Sequence, residues 1–391
     1  MKKVTLSMQR GSFQMMKSVN KSLILNTIRL NQPTSRAEIA KQVKLTPPTV
    51  SAIVKELIEE KIVEETELGQ SKGGRKPTML QINDQQFNMI GIDIGPSKVH
   101  SILTDLSGHI IERHTADLAA AISEDAFFSL LKKMTDHMIA AAPHLEHIIG
   151  IGVAMHGVVD IQSGKALFAP NLNLKNIPIK AYLESMFKIP VYVENDARAM
   201  ALGESWFGHH QNPHSMLVIN LSTGVGAGII VNGELFHGYD DLAGEVGHMT
   251  IDMDGPLCKC GNKGCFQTFA TGKAIVREVN TLLKEDQYTL AEDVHEDAKN
   301  GDASCIKALQ HIGSSIGVAL TNLIHIINPQ VIVLGGGVTK ASDFLLPTIK
   351  KEIQDRALTN DAKETTVKIT DLGKNATLYG AIALVLKDVF E

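Results

Sequence analysis

The spacing of apolar and polar residues divides the chain into a helical head and a longer body of buried strands. In residues 19–30, apolar side chains recur every three or four positions, which predicts a helix with one buried face. That face comprises Val19, Leu23, Ile24, Thr27 and Ile28. Pro33 ends this segment. Ser35, followed three residues later by Glu38, has the spacing of a capping box that begins a second helix.

A third helix is predicted after Thr46. Its buried stripe consists of Val50, Ile53, Val54, Leu57 and Ile58. Its opposite face carries Thr49, Ser51, Ala52 and Lys55. Beyond this helix, two strand-like segments flank the basic sequence GQSKGGRKP, a pattern typical of a hairpin with a cationic tip. Three helices followed by such a hairpin have the shape of a winged helix.

The body has a different pattern. Met89–Gly95 is predicted as a buried strand, and two further strands precede a helix over residues 123–141 and a strand over residues 147–155. The opening pattern recurs at Ser215–Leu221, where the strand leads into a small-residue turn over Ser222–Gly228. Two lobes that each open with a strand and a small-residue turn indicate an internal duplication with a cleft between the lobes.

The composition fits a globular α/β protein. The chain has 391 residues, of which 44% are apolar, 21% charged and only 5% aromatic, with 32 glycines. This length suits two or three domains. No apolar run is long enough to span a bilayer, and the basic start leads to no apolar signal core. We therefore expect a cytoplasmic protein without a membrane partner.

The charge is distributed unevenly. Residues 1–82 contain 14 of the 38 basic and 7 of the 43 acidic residues, a net charge of +7, whereas the remainder carries −12. A basic head on an acidic body indicates a polyanionic partner, although a solvated helical head with chance lysines would look alike. Together with the winged pattern, the charge favours DNA. The glycine-rich tip could lie in a minor groove or serve as an interdomain linker.

Small hydroxyl side chains and lysines at the start of the third helix have the right size to reach base edges and phosphates. The candidate DNA-binding residues are Ser35, Arg36, Thr46, Thr49, Ser51, Lys55, Lys72, Arg75 and Lys76.

A compact group of metal-ligating residues follows in the second half of the chain. His248 is followed by Cys258, Cys260 and Cys265, so one imidazole and three sulfurs can complete a tetrahedral zinc site. Four protein ligands leave no open position, and the zinc is therefore expected to be structural. The alternative, three buried thiols and an unrelated histidine, is disfavoured by the close spacing. Cys305 is predicted to be a core residue.

Polar residues near these segments are suited to a polyhydroxy ligand, since each sugar hydroxyl both donates and accepts hydrogen bonds. Glu245 precedes the metal segment, and Glu194, Asn195 and Asp196 follow a predicted strand. Asp196 is a candidate general base or, as its position favours, a helix N-cap. His156 is interpreted as a local turn partner and left out of the site. The glycine turns could cradle phosphates or simply make tight turns.

In this order, these features resemble the ROK family of sugar kinases and sugar-responsive repressors. The segment from Gly247 to Cys265 is similar to the family's zinc signature, and the head resembles its repressor branch. The stretches GQSKGGRKPTML and GHMTIDMDGPLCKCGNKGC resemble those of its xylose-repressor group. The resemblance covers nearly the whole chain, and it is specific for the family but not for the sugar.

The resemblance implies an α/β fold class in which a winged helix-turn-helix domain, residues 1–82, precedes a two-lobed actin-like, ribonuclease H-like sugar-kinase fold. The first lobe is expected at residues 83–195, completed by a C-terminal helix within residues 372–391. The second lobe, residues 196–371, is expected to carry the zinc knuckle.

Carried over residue by residue, the resemblance implies six sugar-binding positions: Asn171, Asn195, Asp196, Glu245, His248 and Gln267. The kinases' phosphate turns fall on Asp93–Lys98 and Ser222–Gly228, with a further glycine cluster at Gly335–Gly337. Kinase members have two glycines and a threonine where this chain reads Gly-Pro-Ser, and Pro96 removes one phosphate-facing N–H group. ATP is therefore not expected, and Asp196 would be a catalytic base only in a kinase.

We predict a sugar-responsive repressor of carbohydrate-utilisation genes and expect no enzymatic activity. A homo-oligomer, dimer or tetramer, would bind an inverted-repeat operator and be released by a monosaccharide such as xylose. The alternative is an ATP-dependent sugar kinase with a regulatory DNA-binding head.

Overall fold

The computed structural model describes residues 13–68, 76–119, 121–169, 171–209 and 213–390, with side chains from residue 19 onward. These residues form an N-terminal head and two lobes, each lobe built on a five-stranded sheet. Within the described ranges, no helix combines the length and the apolarity that crossing a membrane requires.

The head consists of three helices and a three-stranded sheet. Its elements are α1 (Phe13–Asn31), β1 (Thr34–Ser35), α2 (Arg36–Val43), α3 (Pro47–Glu59), β2 (Val63–Leu68) and β3 (Thr78–Ile82). The strand order is β1-β3-β2, and both neighbours of β3 run antiparallel to it. The predicted winged helix-turn-helix is thereby confirmed. The tip of the wing, residues 69–75, lies outside the described residues.

Capping bonds and apolar stripes explain where the head's helices lie. The predicted capping box is present: the Ser35 hydroxyl accepts from the Glu38 N–H group, and the Glu38 carboxylate accepts from the Ser35 N–H group. The stripe of α3 is buried at Val50, Ile53, Val54 and Leu57. The stripe predicted for α1 is partly wrong, because Val19 is 61% exposed and Leu23 43% exposed.

The buried face of α1 is instead centred on Ile24, Leu25 and Ile28. The reason is that α1 is packed on two sides. It contacts α2 and α3 within the head, and it also contacts the C-terminal helix of the body. A prediction from one apolar stripe assumes a single packing partner, and it therefore misses part of the buried surface of α1.

The first lobe contains β4 (Asn88–Ile94), β5 (Lys98–Asp105), β6 (Ile110–Asp117), α4 (Glu124–Ala141), β7 (Ile148–Met155), β8 (Val158–Asp160), β9 (Lys165–Ala169), β10 (Leu174–Ile177), α5 (Ile179–Phe187) and β11 (Val191–Asn195). Its main sheet has the order β11-β7-β4-β5-β6, and β8, β9 and β10 form a small separate sheet. Strands β4, β7 and β11 are parallel, so their carboxyl ends meet at one edge.

The second lobe contains α6 (Asp196–Phe207), β12 (Ser215–Leu221), β13 (Val225–Val231), β14 (Glu234–Leu235), α7 (Gly272–Leu283), α8 (Ala291–Lys299), α9 (Ala303–Ile327), β15 (Val331–Gly335), α10 (Ser342–Arg356), α11 (Asn360–Lys363) and β16 (Thr366–Ile369). Its first helix, α6, packs on β12 and β13. The sheet order is β14-β13-β12-β15-β16.

The two main sheets repeat one topology. In each, three antiparallel strands are followed by two strands that add in parallel on the other side of the first strand. The internal duplication expected from the sequence is visible in this repeat. The turn predicted over Ser222–Gly228 is too long, because β13 already begins at Val225.

The last helix, α12 (Ala376–Phe390), returns to the first lobe, where it packs on β4, β7 and β11, and its other side packs against α6 of the second lobe. The helices α6 and α12 approach closely at glycines. A Cβ atom on Gly380 would lie 1.8 Å from the Ala199 carbonyl oxygen, and one on Gly203 would lie 2.4 Å from the Ala376 carbonyl oxygen. The domain limits at residues 82, 195 and 371 stay predictions.

Candidate functional site

The start of α6 carries two of the predicted sugar-binding residues. Asn195 is the N-cap of this helix, and its side-chain oxygen accepts from the N–H groups of Ala197 and Arg198 at 3.0 and 3.1 Å. The N-cap predicted at Asp196 is therefore wrong by one residue. One Asp196 oxygen accepts from the Ala197 N–H group at 2.9 Å, which leaves the other oxygen to face the cleft.

His156, which sequence reasoning left out, lies at the centre of this cleft. Its Nδ1 is 3.3 Å from Asp196 Oδ2, and its Nε2 is 2.9 Å from the Asn171 side-chain nitrogen. Its backbone N–H group also donates to the Ile94 carbonyl. A usable signal existed: His156 directly follows β7, and the residues that end parallel strands meet at one edge of a sheet.

The cleft concentrates negative charge. Loss of hydration, with repulsion from Asp196, raises the pKa of Asp93 to about 7. The same two causes raise the pKa of Glu245, at the rim of the cleft. Burial alone would lower the pKa of His156, but its hydrogen bond to Asp196 and the surrounding carboxylates raise it above its ordinary value. Acceptors and donors thus converge here as a polyhydroxy ligand requires.

Glu194 stabilises the fold around the cleft rather than facing into the cleft. Its carboxylate is 2% exposed, and it accepts from Arg198 Nε at 2.7 Å and His237 Nε2 at 2.8 Å. Arg198 also donates to the Asp241 carbonyl. This buried network ties the segment that leads to Glu245 onto α6, and it holds both sides of the cleft together.

The predicted metal ligands lie together. The donor atoms of His248, Cys258, Cys260 and Cys265 all lie within 4.8 Å of one another. Cys260 Sγ is 3.7 Å from Cys265 Sγ, and His248 Nδ1 is 3.9 Å from Cys258 Sγ. A tetrahedron of ~2.3 Å metal–sulfur bonds spaces its sulfurs about 3.8 Å apart, so this group fits a metal ion.

Two glycines make this cluster possible. Gly261 and Gly264 adopt positive φ angles of 94° and 68°, in the region that favours glycine. A Cβ atom on Gly264 would lie 1.5 Å from the Asp252 carbonyl oxygen. Gln267 faces the cluster, and its side-chain nitrogen lies 3.0 Å from Cys258 Sγ. The structure therefore places Gln267 beside the metal group.

In each of the two predicted phosphate turns, one N–H group is already bonded within the turn. In the first, the Gly95 N–H group donates to the Lys98 carbonyl at 2.9 Å, and Pro96 has no N–H group. In the second, the Ser222 N–H group donates to the Gly224 carbonyl at 2.9 Å. A cavity of about 920 Å³ lies beside the second turn, between α7, α8 and the segment that follows Gly336.

The head presents a polar face of α3 to solvent. Ser51 and Lys55 are exposed, Thr46 caps the helix, and its hydroxyl lies 2.8 Å from the Thr49 hydroxyl. Arg36 is half-buried and donates to Glu65 at 2.7 Å. Lys76 is exposed just before β3, whereas Lys72 and Arg75 lie outside the described residues.

The structure corrects one of the candidate DNA-binding residues, Ser35. It is 4% exposed, and its side chain is engaged with Glu38 in the cap of α2. A residue whose hydroxyl is buried in a capping box has no free surface for a phosphate or a base.

A winged head joined to a two-lobed sugar-kinase-like body defines a class of transcription regulators. The ROK family profile matches residues 89–388, and a profile of winged helix-turn-helix DNA-binding domains matches residues 19–64. The chain belongs to the ROK family.

Relatives agree with this assignment along the full length. The xylose repressor of Bacillus spizizenii is 36% identical over 375 residues, which cover 95% of this chain and 96% of that protein. A ROK family transcriptional regulator, a homologue of the Escherichia coli Mlc protein, has a TM-score of 0.85 at 28% identity, covering 96% of this chain and 97% of that one. A ROK family glucokinase from Streptomyces griseus, solved with glucose and AMPPNP, has a TM-score of 0.68 at 27% identity and covers 77% of this chain and 99% of that one.

Proposed function

We propose that the protein is a sugar-responsive transcriptional repressor of carbohydrate-utilisation genes that acts in the cytoplasm. The head would bind operator DNA, and the cleft of the body would bind a monosaccharide that releases it. The observation that carries this proposal is the convergence of amide, imidazole and carboxylate groups in a cleft of a chain that also presents an exposed, polar α3. A kinase needs the cleft but not the head.

The proposed sugar ligands are Asn171, Asn195, Asp196 and Glu245, together with His156 and His248. Because His248 Nδ1 faces the cysteine sulfurs, its Nε2 would be the nitrogen that reaches a hydroxyl. Gln267 would act indirectly, through the metal group. We take xylose as the first candidate sugar, since relatives of matching length are named xylose repressors.

We propose zinc as the metal of the cysteine–histidine group, because three sulfurs and one imidazole at tetrahedral spacing suit Zn²⁺. Its role would be structural. A full set of four protein ligands leaves no position for a substrate or a water molecule. The metal would hold the segment that positions Glu245 and His248.

For DNA, we propose contacts from Thr46, Thr49, Ser51 and Lys55 on α3 and from four basic residues elsewhere in the head: Arg36, Lys72, Arg75 and Lys76. A homo-oligomer, dimer or tetramer, would place two copies of α3 in successive major grooves of an inverted repeat.

The decisive experiment is fluorescence anisotropy of the purified protein on its own upstream DNA, titrated with xylose, glucose and other monosaccharides in the absence of ATP. We expect tight binding to this DNA over random DNA at physiological salt, and release by one sugar at micromolar to millimolar concentration. Equal affinity for random DNA would contradict the repressor. Tight binding that no sugar changes would contradict a free monosaccharide as the effector.

The role of the wing in DNA binding can be tested through salt dependence. Removal of one side chain that binds a phosphate lowers the slope of log K against log salt by about 1, so Arg75→Ala should weaken binding and flatten this slope. Lys299→Ala, which removes one exposed charge from α8 of the second lobe, is the matched control and should leave the slope unchanged. An unchanged slope of log K against log salt in Arg75→Ala would contradict a contact between the wing and DNA.

The alternative function is an ATP-dependent sugar kinase with a regulatory head. The cavity of about 920 Å³ beside the second turn favours it, because Ser222 and Thr223 line that cavity together with Gly337. The occupied Gly95 N–H group and Pro96 oppose it, because they weaken the first turn as a phosphate cradle. Turnover in a coupled assay that disappears in Asp196→Asn would support a kinase, and absence of turnover across pentoses and hexoses would remove it.

A further inference from the structure

The helix that starts at the proposed sugar site ends at the head. The side chains of Asn195 and Asp196 lie at the first turn of α6, in the cleft. Near its last turn, Trp206 lies under the guanidinium group of Arg29, which is 4.2 Å from the centre of the indole ring. Arg29 belongs to α1, so one helix of 12 residues connects the cleft to the head.

The C-terminal helix makes a second contact at the same place. The ring of Phe390, at the end of α12, is 5.7 Å from the ring of Trp206 in an edge-to-face arrangement, and Arg29 lies 5.6 Å from its centre. The Asn26 side-chain nitrogen also donates to the Phe390 carbonyl at 2.9 Å. Thus α1 contacts the ends of α6 and α12 together.

The helices α6 and α12 cannot slide freely past each other. At their crossing, Gly203 and Gly380 allow backbone contact so close that a single added Cβ atom would overlap the opposite carbonyl. A small cluster of buried alanines, Ala154, Ala199 and Ala381, fills the space between these helices and β7. A displacement at the start of α6 is therefore passed on to both helices as one unit.

The head is packed so that a movement of α1 also moves α3. Ile24, Leu25 and Ile28 of α1 share one buried cluster with Val50 and Val54 of α3 and with residues of α12: Leu378, Ile382, Val385, Leu386 and Phe390. Close-packed interiors transmit displacement rather than absorb it. A change in the position of Arg29 therefore reorients α3, the helix proposed to bind DNA.

We propose that Arg29, Trp206 and Phe390 form the joint through which the sugar site controls the head, an inference that rests on the proposed function. A sugar that bonds to Asn195 and Asp196 competes with the bonds that cap α6 and shifts the first turn of this helix. The shift moves the rings of Trp206 and Phe390 beneath Arg29, and a cation–ring contact depends on the position of the ring. These three are positioning residues, since they touch neither sugar nor DNA in this scheme.

The joint carries its own spectroscopic reporter, because Trp206 is the single tryptophan of the chain. It lies about 15 Å along the helix axis from Asp196, beyond the reach of a direct contact with a bound monosaccharide. With the full-length protein free of DNA, we expect the effector sugar to shift the emission of Trp206 with the same midpoint as sugar binding measured by calorimetry. Sugar binding without any change in emission or in iodide quenching would contradict the joint.

Variants test the coupling itself. The quantity to measure is the ratio of the DNA dissociation constants with and without saturating sugar, with sugar affinity measured separately by calorimetry. If the wild-type ratio is about tenfold or more, the range of ordinary allosteric coupling, we expect it to fall to about twofold or less in Arg29→Met and in Trp206→Phe. Sugar affinity and sugar-free DNA affinity should each stay within about threefold of the wild-type values, as expected for residues that touch neither ligand.

Phe207→Leu is the matched control. It alters the neighbouring aromatic residue of α6, whose ring centre lies 5.0 Å from that of Tyr379 and which is not part of the contact between Arg29, Trp206 and Phe390. This variant should keep the wild-type ratio of DNA dissociation constants with and without sugar. If a general loosening of α6 were the cause of lost coupling, the ratio would fall in this variant as well. A full ratio in Arg29→Met and Trp206→Phe would overturn the joint while leaving the repressor intact. A wild-type protein that binds no sugar or no DNA would instead overturn the proposed function, and this inference with it.

Discussion

The cysteine–histidine group and the polar cleft share a border, yet they are built in different ways. The metal ligands are drawn from one short segment between His248 and Cys265, turned by glycines at positive φ. The cleft collects Asp93, His156 and Asn171 from one lobe and Glu245 from the other, and parallel strands bring its edge together. The first region depends on local turns that bring four potential metal ligands together, whereas the second depends on the register of a sheet. They should therefore respond differently to mutation.

The largest effect is expected from loss of a metal ligand. Cys260→Ser should abolish stoichiometric zinc, because structural zinc contributes on the order of 10 kcal/mol to the folding of small zinc domains and three ligands hold it far less tightly. Loss of sugar response should follow, because the same segment positions Glu245. Zinc content by mass spectrometry of the native protein and sugar binding by calorimetry check both expectations.

Cys305→Ser is the matched control for that variant. Cys305 is buried in α9, where its N–H group donates to Asp302, and it is not a member of the metal group. It should keep both zinc and sugar response. Full zinc retention in Cys260→Ser would refute the metal assignment, and retained sugar binding after zinc loss would show that the two regions are independent.

The next largest effect is expected in the cleft. Asp196→Asn removes a charged acceptor. Hydrogen bonds to charged groups contribute about 1.5–3 kcal/mol, so sugar affinity should fall roughly 10- to 100-fold. Zinc content should not change. Asp302→Asn, which alters the N-cap carboxylate of α9 outside the cleft, should leave sugar affinity unaltered.

A smaller loss is expected for His156→Phe, which keeps a planar ring but removes both nitrogens that face Asp196 and Asn171. The loss of one ordinary hydrogen bond to the sugar, with a net contribution of about 1 kcal/mol, corresponds to roughly fivefold weaker sugar binding. His311→Phe, at a histidine paired with Glu278 on the surface, provides the comparison. Equal affinity in His156→Phe and the wild type would return His156 to the role of a local turn partner.

The smallest effect concerns pH. Because the pKa of Asp93 is raised to about 7 in the folded protein, the folded state holds a proton that the unfolded chain releases near pH 4. The contribution of this group to stability is therefore greatest at low pH and declines as pH rises toward 7. Asp93→Asn should remove this decline, a difference of about 2 °C or less in Tm between about pH 6 and 8. Parallel Tm profiles for both proteins would contradict the raised pKa.

Features with local causes could be predicted from the sequence. The stripe of α3, the capping box at Ser35 and the hairpin after α3 are each specified by residues within a few positions of one another. The opening strands of the two lobes were recognisable in the same way. The grouping of His248 with the three cysteines also needed no tertiary information.

Features with two distant partners could not be predicted in this way. The exposed Val19 and the buried Leu25 follow from packing of α1 against the C-terminal helix, which a single periodic stripe does not contain. His156 looked like a lone turn residue because Asp196 and Asn171 lie far from it in the chain. Gln267 was assigned to the sugar by resemblance, and the contact of its side chain with Cys258 was not foreseen from the sequence.

By itself, the sequence determined the winged head, the repeated sheets and the grouping of four potential metal ligands, because hydrophobic period, turn residues and ligand spacing act over a few residues at a time. The tertiary structure alone decided which polar groups share the cleft and how the head contacts the body. The cleft depends on strand register, which brings Asp93 close enough to Asp196 for the two carboxylates to repel each other. The contact between head and body depends on the close crossing of α6 and α12, whose aromatic ends meet Arg29.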